Sequence, residues 1–203
     1  MKKMKIYFDG CSWTKGEELE NQEEERYSKL ICDKLGAEET NLGMGGGSND
    51  RIVRNLVVEN DIKNYDLAVI QMTFPARTEY WDDEWIKVNP KHNYSRWLNR
   101  KKEKMDFGLR TLSEKFTDHN QFWLYYYLKI SNSKYFNVKE KIHYHTIKNH
   151  CKANGVPLIL CTINNWSSTR DLLINSYNLP KAHYGHPTKE GHQIIAKTIL
   201  DKI

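Results

Sequence analysis

The residues best suited to chemistry lie in four short stretches. The first is Gly10-Cys11-Ser12-Trp13-Thr14, which follows an apolar strand predicted over residues 4–9. A serine just past the first strand of an α/β sheet sits at the edge where such folds bind ligands. Serine is a weak nucleophile without a base to take its proton, so a histidine able to reach Ser12 is the minimum for acyl transfer. The stretch His183-Tyr184-Gly185-His186-Pro187 supplies that base as His186. Gly43-Met44-Gly45-Gly46-Gly47-Ser48-Asn49-Asp50 offers backbone N–H groups that can be aimed at a developing oxyanion. Thr73-Phe74-Pro75-Ala76-Arg77 adds a hydroxyl and an arginine, whose planar fork suits carboxylate or phosphate.

These stretches need a scaffold that brings them together. A helix is expected over residues 16–35, where Tyr27, Leu30, Ile31 and Leu35 recur at helical spacing and Glu17 to Glu25 crowd the positive end of the dipole. Gly36 is its stop. A short strand near residues 39–42 leads into the glycine loop, and a helix follows over residues 51–60 with Asp50 as its cap. Residues 65–72 and 156–163 read as buried strands, and 134–154 and 188 to the end as helices. Residues 80–120 lack clean periodicity and form a long, partly helical excursion; the aromatic run 121–130 reads as a core helix. The order β-α-β-α-β-(excursion)-α-β-α is that of a parallel sheet wrapped by helices, in which loops 10–14, 43–50 and 73–77 share one edge.

The 203 residues are enough for one domain with its own core, and a net charge of +5 is a mild excess. No segment has the roughly 20 apolar residues of a membrane span, and no signal peptide is evident, so a cytoplasmic location is expected. Cys11, Cys32, Cys151 and Cys161 are scattered without metal-ligand spacing and are read as reduced thiols; no metal or cofactor is called for. His143 and His145 are two apart, hence on different helix faces, and with His150 are read as ordinary surface or core residues. Arg100-Lys101-Lys102 with Lys104, beyond Arg96 and Trp97, reads as a solvated basic face rather than a nucleic-acid site.

Taken together, the blocks resemble those of the SGNH (GDSL-type) hydrolases, a family of esterases, lipases and carbohydrate deacetylases on a flavodoxin-like three-layer α/β/α fold. Gly10-Cys11-Ser12 matches the family's Gly-Asp-Ser, with Cys11 where Asp is usual. Asn41-Leu42-Gly43-Met44-Gly45-Gly46 matches the block that supplies an oxyanion glycine, aligned at Gly46. Gln71-Met72-Thr73-Phe74 stands in place of Gly-x-Asn-Asp, so Thr73 replaces the Asn donor. His186-Pro187 matches the end of Asp-x-x-His-Pro, with His183 at the Asp position. The run from Gly46 to Asp50, followed by Thr73, Arg77, Glu79 and Tyr80, also looks like a divergent subgroup familiar from tailed-phage genomes. The resemblance implies an ester hydrolase or acyltransferase forming an acyl-Ser12 intermediate, with His186 as general base and Ser12, Gly46 and Thr73 around the oxyanion. A small-molecule or glycan ester is the expected substrate.

The departures leave positions open. His183 or a backbone carbonyl can orient His186, and Asp171 is a candidate acid that the sequence does not place. Arg77 either binds substrate or pairs with Glu79 or a glutamate of the first helix, and Asn49 orients the loop or touches substrate. His186 before proline also fits a helix cap, and Ser12 a plain turn. Two other functions compete. One is a catalytically impaired module of this fold that binds a glycan or protein partner through Trp85 or Trp97. The other is a nucleotide-binding domain, since Gly43-x-Gly45-x-Gly47 follows a strand, although Ser48 breaks the fingerprint and no P-loop lysine follows.

Overall fold

The structure is a computed structural model that describes residues 2–82, 84–88, 126, 133–163 and 171–203. Its centre is a five-stranded parallel sheet of β1 (Lys5–Asp9), β2 (Glu38–Asn41), β3 (Leu67–Met72), β6 (Leu158–Ile163) and β7 (Leu172–Ile174), in the order β2-β1-β3-β6-β7. With the hairpin strands set aside, this is the 2-1-3-4-5 order of flavodoxin-like sheets. The expected α/β class is therefore the observed one.

Alternation along each strand explains why both faces are covered. Ile6 and Phe8 of β1 face one layer with Val69 and Cys161, where α3 (Tyr27–Leu35) and the C-terminal α6 (Lys189–Leu200) contribute Tyr27, Ile31, Ile195 and Ile199. Tyr7 faces the other with Ile70, Met72 and Leu160, against Ile52 of α4 (Asn49–Arg54) and Ile147 of α5 (Ser133–Ala153). All four cysteines are buried free thiols. No helix among the described residues is long and apolar enough to cross a membrane.

Several elements differ from expectation. The helix expected over 16–35 is broken into α1 (Ser12–Lys15), α2 (Gln22–Glu25) and α3. Gly16 ends α1 at φ 86°, and Glu18 follows at φ 72°. Two left-handed residues within three positions cannot continue a right-handed helix. The helix expected over 51–60 starts earlier, because Ser48 rather than Asp50 caps it, accepting from Arg51 N–H at 3.1 Å. It then widens into a π-helical turn, Asn55–Glu59, where Asn55 turns inward to the β1 carboxylate. The expected loop before the last helix contains β7, three residues too short to show a period. The excursion opens with an antiparallel hairpin, β4 (Thr78–Asp82) and β5 (Glu84–Val88). The core helix expected over 121–130 lies outside the described residues except for Tyr126.

Candidate active site

The C-terminal ends of β1, β2 and β3 open into the three loops that carry the candidate residues. Gly10 leaves β1 with no room for a side chain, since a Cβ there would overlap the Thr14 hydroxyl and approach Gln71 Cβ to 3.0 Å. Cys11 is 1% exposed, and its sulfur accepts from Gln71 Nε2 at 3.2 Å. Ser12 begins α1 and is 7% exposed. Its hydroxyl lies 3.9 Å from Cys11 Sγ, and no hydrogen bond joins it to His186. Beneath this turn Asp9 is fully buried, held by Arg51 Nη1 at 2.8 Å, Asn55 Nδ2 at 2.9 Å and Gly10 N–H at 2.7 Å. Burial pushes its carboxyl above the usual aspartate value even against the Arg51 charge.

The glycine loop is fastened to the serine turn. Asn41 Oδ1 accepts from Gly43 N–H at 2.8 Å, and its Nδ2 donates to Thr14 O at 2.8 Å. Gly43 passes so close to α1 that a Cβ would sit 2.6 Å from Lys15 N. Met44 N–H then donates to Gly10 O at 3.2 Å. Gly46, the proposed oxyanion glycine, turns the chain at φ 70°, a left-handed geometry that glycine adopts without steric cost. Asn49 bridges to the third loop. Its Oδ1 accepts from Thr73 N–H at 2.8 Å, and its Nδ2 donates to Thr73 O at 3.1 Å. With both ends of its amide engaged and 1% exposure, Asn49 ties the glycine loop to the third loop. Thr73 Oγ1 accepts from Arg77 Nη1 at 2.6 Å, so its own proton is available to another acceptor.

The largest correction concerns His186. A backbone carbonyl, His183 or Asp171 was expected beside the ring; the neighbour is Glu18. Glu18 Oε2 lies 2.7 Å from His186 Nδ1 and accepts from His186 N–H at 3.1 Å, while Oε1 accepts from Tyr184 N–H at 2.8 Å. Burial works to raise the Glu18 carboxyl, but the bonds from Tyr184 and His186 outweigh it and hold it below the ordinary glutamate value. A carboxylate only accepts, so in this contact Nδ1 is the donor. His183 is exposed and packs edge-on to Tyr184 at 4.7 Å. Asp171 instead accepts from Tyr144 and Lys148 on α5 at 3.0 and 3.1 Å. Thr188, not His186, caps α6. Glu17 faces the other ring nitrogen, its Oε2 3.8 Å from Nε2.

Glu18 escaped the sequence because it sits in an acidic run that reads as an amphipathic helix end. The only local signal is Gly16, a helix stop two residues upstream. Of the readings open for Arg77, the pair with Glu79 is not formed: Glu79 accepts from Arg54 Nε at 2.7 Å. The nucleotide alternative is disfavoured by Glu17, whose carboxylate lies where a side chain at Gly45 would point, placing a negative charge in the loop meant for phosphate. Among the described residues no group of three His, Cys, Asp or Glu side chains converges on a metal position.

No protein-family model matches the sequence, and no curated protein matches it. Solved structures do share its architecture. A putative lipolytic protein of the G-D-S-L family from Desulfitobacterium hafniense DCB-2 aligns with a TM-score of 0.54 at 10% identity, over 98% of this chain and 99% of that one. A carbohydrate esterase whose active site displays divergent catalytic and non-catalytic binding functions aligns at 0.55 and 11% identity, over 100% of this chain and 65% of that one. A two-domain esterase active on acetylated mannans aligns at 0.50 and 14% identity, over 98% of this chain; the chain spans 49% of that protein. At such identities the likeness speaks for the fold, and it agrees with the strand order and the three fastened loops. The chain has the fold of the SGNH (GDSL-type) esterases.

Proposed function

We propose that this protein is a serine ester hydrolase that works through an acyl-Ser12 intermediate, with a Ser12–His186–Glu18 arrangement as its machinery. The observation that carries the reading is the 2.7 Å contact between His186 Nδ1 and Glu18 Oε2. It provides the acid that the sequence lacks at position 183, and it fixes the tautomer in which Nε2 can act as base. Catalytic hydrogen bonds are often long or absent before substrate binds, so the missing Ser12–His186 bond is compatible with this role.

In the proposed reaction Ser12 Oγ attacks the acyl carbon and its proton passes to His186 Nε2. The negative charge on the carbonyl oxygen faces backbone N–H groups at Ser12 and Gly46 and the hydroxyl of Thr73. The C–O bond to the alcohol breaks, and the alcohol leaves with the proton held by His186. Water then gives a proton to Nε2 as it attacks the acyl carbon, and that proton returns to Ser12 Oγ as the acid departs. The carbohydrate-ester neighbours support a small or sugar-borne acyl group as substrate.

A second reading follows from the contacts of Ser12 with Cys11 Sγ and of Glu17 with Nε2. In it the protein binds a ligand without turnover, with exposed Trp85, under the Arg54 guanidinium, as a contact surface. A fluorophosphonate probe decides between the two. The esterase reading expects one adduct, located on Ser12, together with p-nitrophenyl acetate hydrolysis, both lost in Ser12→Ala. An unlabelled wild type, or labelling unchanged in Ser12→Ala, would leave the binding module standing.

A further inference from the structure

Among the described arginines, Arg26, Arg51 and Arg54 each meet a carboxylate within 2.8 Å or less. Arg77 alone does not. Its Nη1 donates to two neutral acceptors, Thr73 Oγ1 at 2.6 Å and Gly47 O at 3.5 Å. Its Nε is buried without an acceptor. Glu79, which Arg77 could have paired with, meets Arg54 instead, Asp9 meets Arg51 and Asp50 meets Lys139. A half-buried guanidinium with no counter-ion is costly to hold in place, because the charge has lost part of its water and gained no partner.

Its position gives that charge a use. Arg77 lies one hydrogen bond from Thr73 and touches the residue after Gly46, so it borders two of the three groups assigned to the oxyanion. The second terminal nitrogen, Nη2, makes no hydrogen bond to any described residue.

We infer that Arg77 is a specificity residue that reads a carboxylate on the substrate, so that the ester cleaved at Ser12 carries an anionic group close to the scissile carbonyl. The inference rests on the esterase reading of Ser12 for its substrate, but not for its charge chemistry. A carboxylate can accept from Nη2, which has no acceptor among the described residues, in a charge-assisted bond that supplies the missing counter-ion. An arginine that served only to tie Thr73 to Gly47 would be indifferent to charge on the ligand.

The test compares mono-p-nitrophenyl glutarate with p-nitrophenyl butyrate, two esters of similar length that differ in the terminal carboxylate. Wild type is expected to favour the glutarate in kcat/KM by about tenfold or more, the scale of one charge-assisted hydrogen bond. In Arg77→Met that ratio is expected to collapse towards one, and Arg77→Lys to recover part of it. Equal losses on both esters, or an unchanged ratio, would overturn the inference and leave Arg77 as a support for Thr73. Binding of monomethyl glutarate to Ser12→Ala protein, with and without Arg77→Met, is read by calorimetry without any turnover. Weaker binding on removal of the arginine, with no hydrolysis by wild type, would keep Arg77 as an anion reader and discard the esterase. Equal affinities would discard the anion reader whatever the hydrolysis shows.

Discussion

At the scale of the residue, Glu18 carries more of the candidate site than any other side chain that the sequence did not single out. Its backbone is left-handed, a conformation that costs a non-glycine residue energy and persists only where the surroundings fix it. The surroundings here are the three bonds from Tyr184 and His186. Function and strain therefore meet at one position, and they can be separated by mutation. Glu18→Gln keeps the side-chain length but offers an amide to Nδ1 and removes the charge that would stabilise an imidazolium. It is expected to lower kcat by about 10²- to 10⁴-fold with little change in KM. Glu18→Gly relaxes the backbone while losing the carboxylate, so activity should fall with no matching fall in Tm. A Tm loss in Glu18→Gly as large as in Glu18→Gln, with activity kept in both, would assign Glu18 to structure alone.

At the scale of the element, the docking of α6 on α3 carries a pH dependence. Tyr27 N–H, at the start of α3, donates to His192 Nδ1 at 3.1 Å, and the two rings stack at 5.9 Å. His192 is fully buried, and its Nε2 has no acceptor. Burial, helped by the nearby His186, lowers its pKa to about 4. An unfolded histidine takes up a proton near pH 6.5, whereas folded His192 stays neutral until pH is near 4. Its contribution is thus fully present above pH 6.5 and is lost as pH falls towards 4, up to about 3 kcal/mol over that window. Urea unfolding at pH 7.5, 6.0 and 4.5 should show that decline in wild type. It should be flatter in His192→Asn, which can still accept from Tyr27 N–H. Parallel pH slopes in the two proteins would remove His192 as the cause. The ion-paired Asp50, which burial alone would raise but His143 and Lys139 hold down to about 2, acts at lower pH and leaves this window clear.

At the scale of the whole molecule, the sheet edge is held by a buried charge pair. Asp9 ends β1 and Arg51 lies in α4; the same guanidinium also donates to Leu42 O, at the end of β2. One arginine thereby joins the serine turn, the glycine loop and the helix behind them. Breaking such a pair from one side leaves a charge without a partner, at a typical cost of about 3–5 kcal/mol. Arg51→Met should show a loss of that size in chemical denaturation, and Asp9→Asn with Arg51→Met should recover a substantial part of it. A double variant as unstable as the single one would mean that packing, not the stranded carboxylate, sets the cost.

The parallel sheet and the edge shared by the loops of Ser12, Gly46, Thr73 and Arg77 were legible because they follow from local pattern. Apolar runs of strand length alternate with helical periods, and in a parallel sheet the loops after the strands fall on one side whatever their distance in sequence. The three-residue strand β7 was not legible, since so short a segment shows no period. Partners were legible least of all. Glu18 reaches a histidine 168 positions away, and Glu79, one of the partners open to Arg77, is taken by Arg54. Those pairings depend on two left-handed residues breaking an apparent helix and on which side chain arrives first at a shared acid. Such contacts are decided by packing in three dimensions, which sequence spacing does not encode.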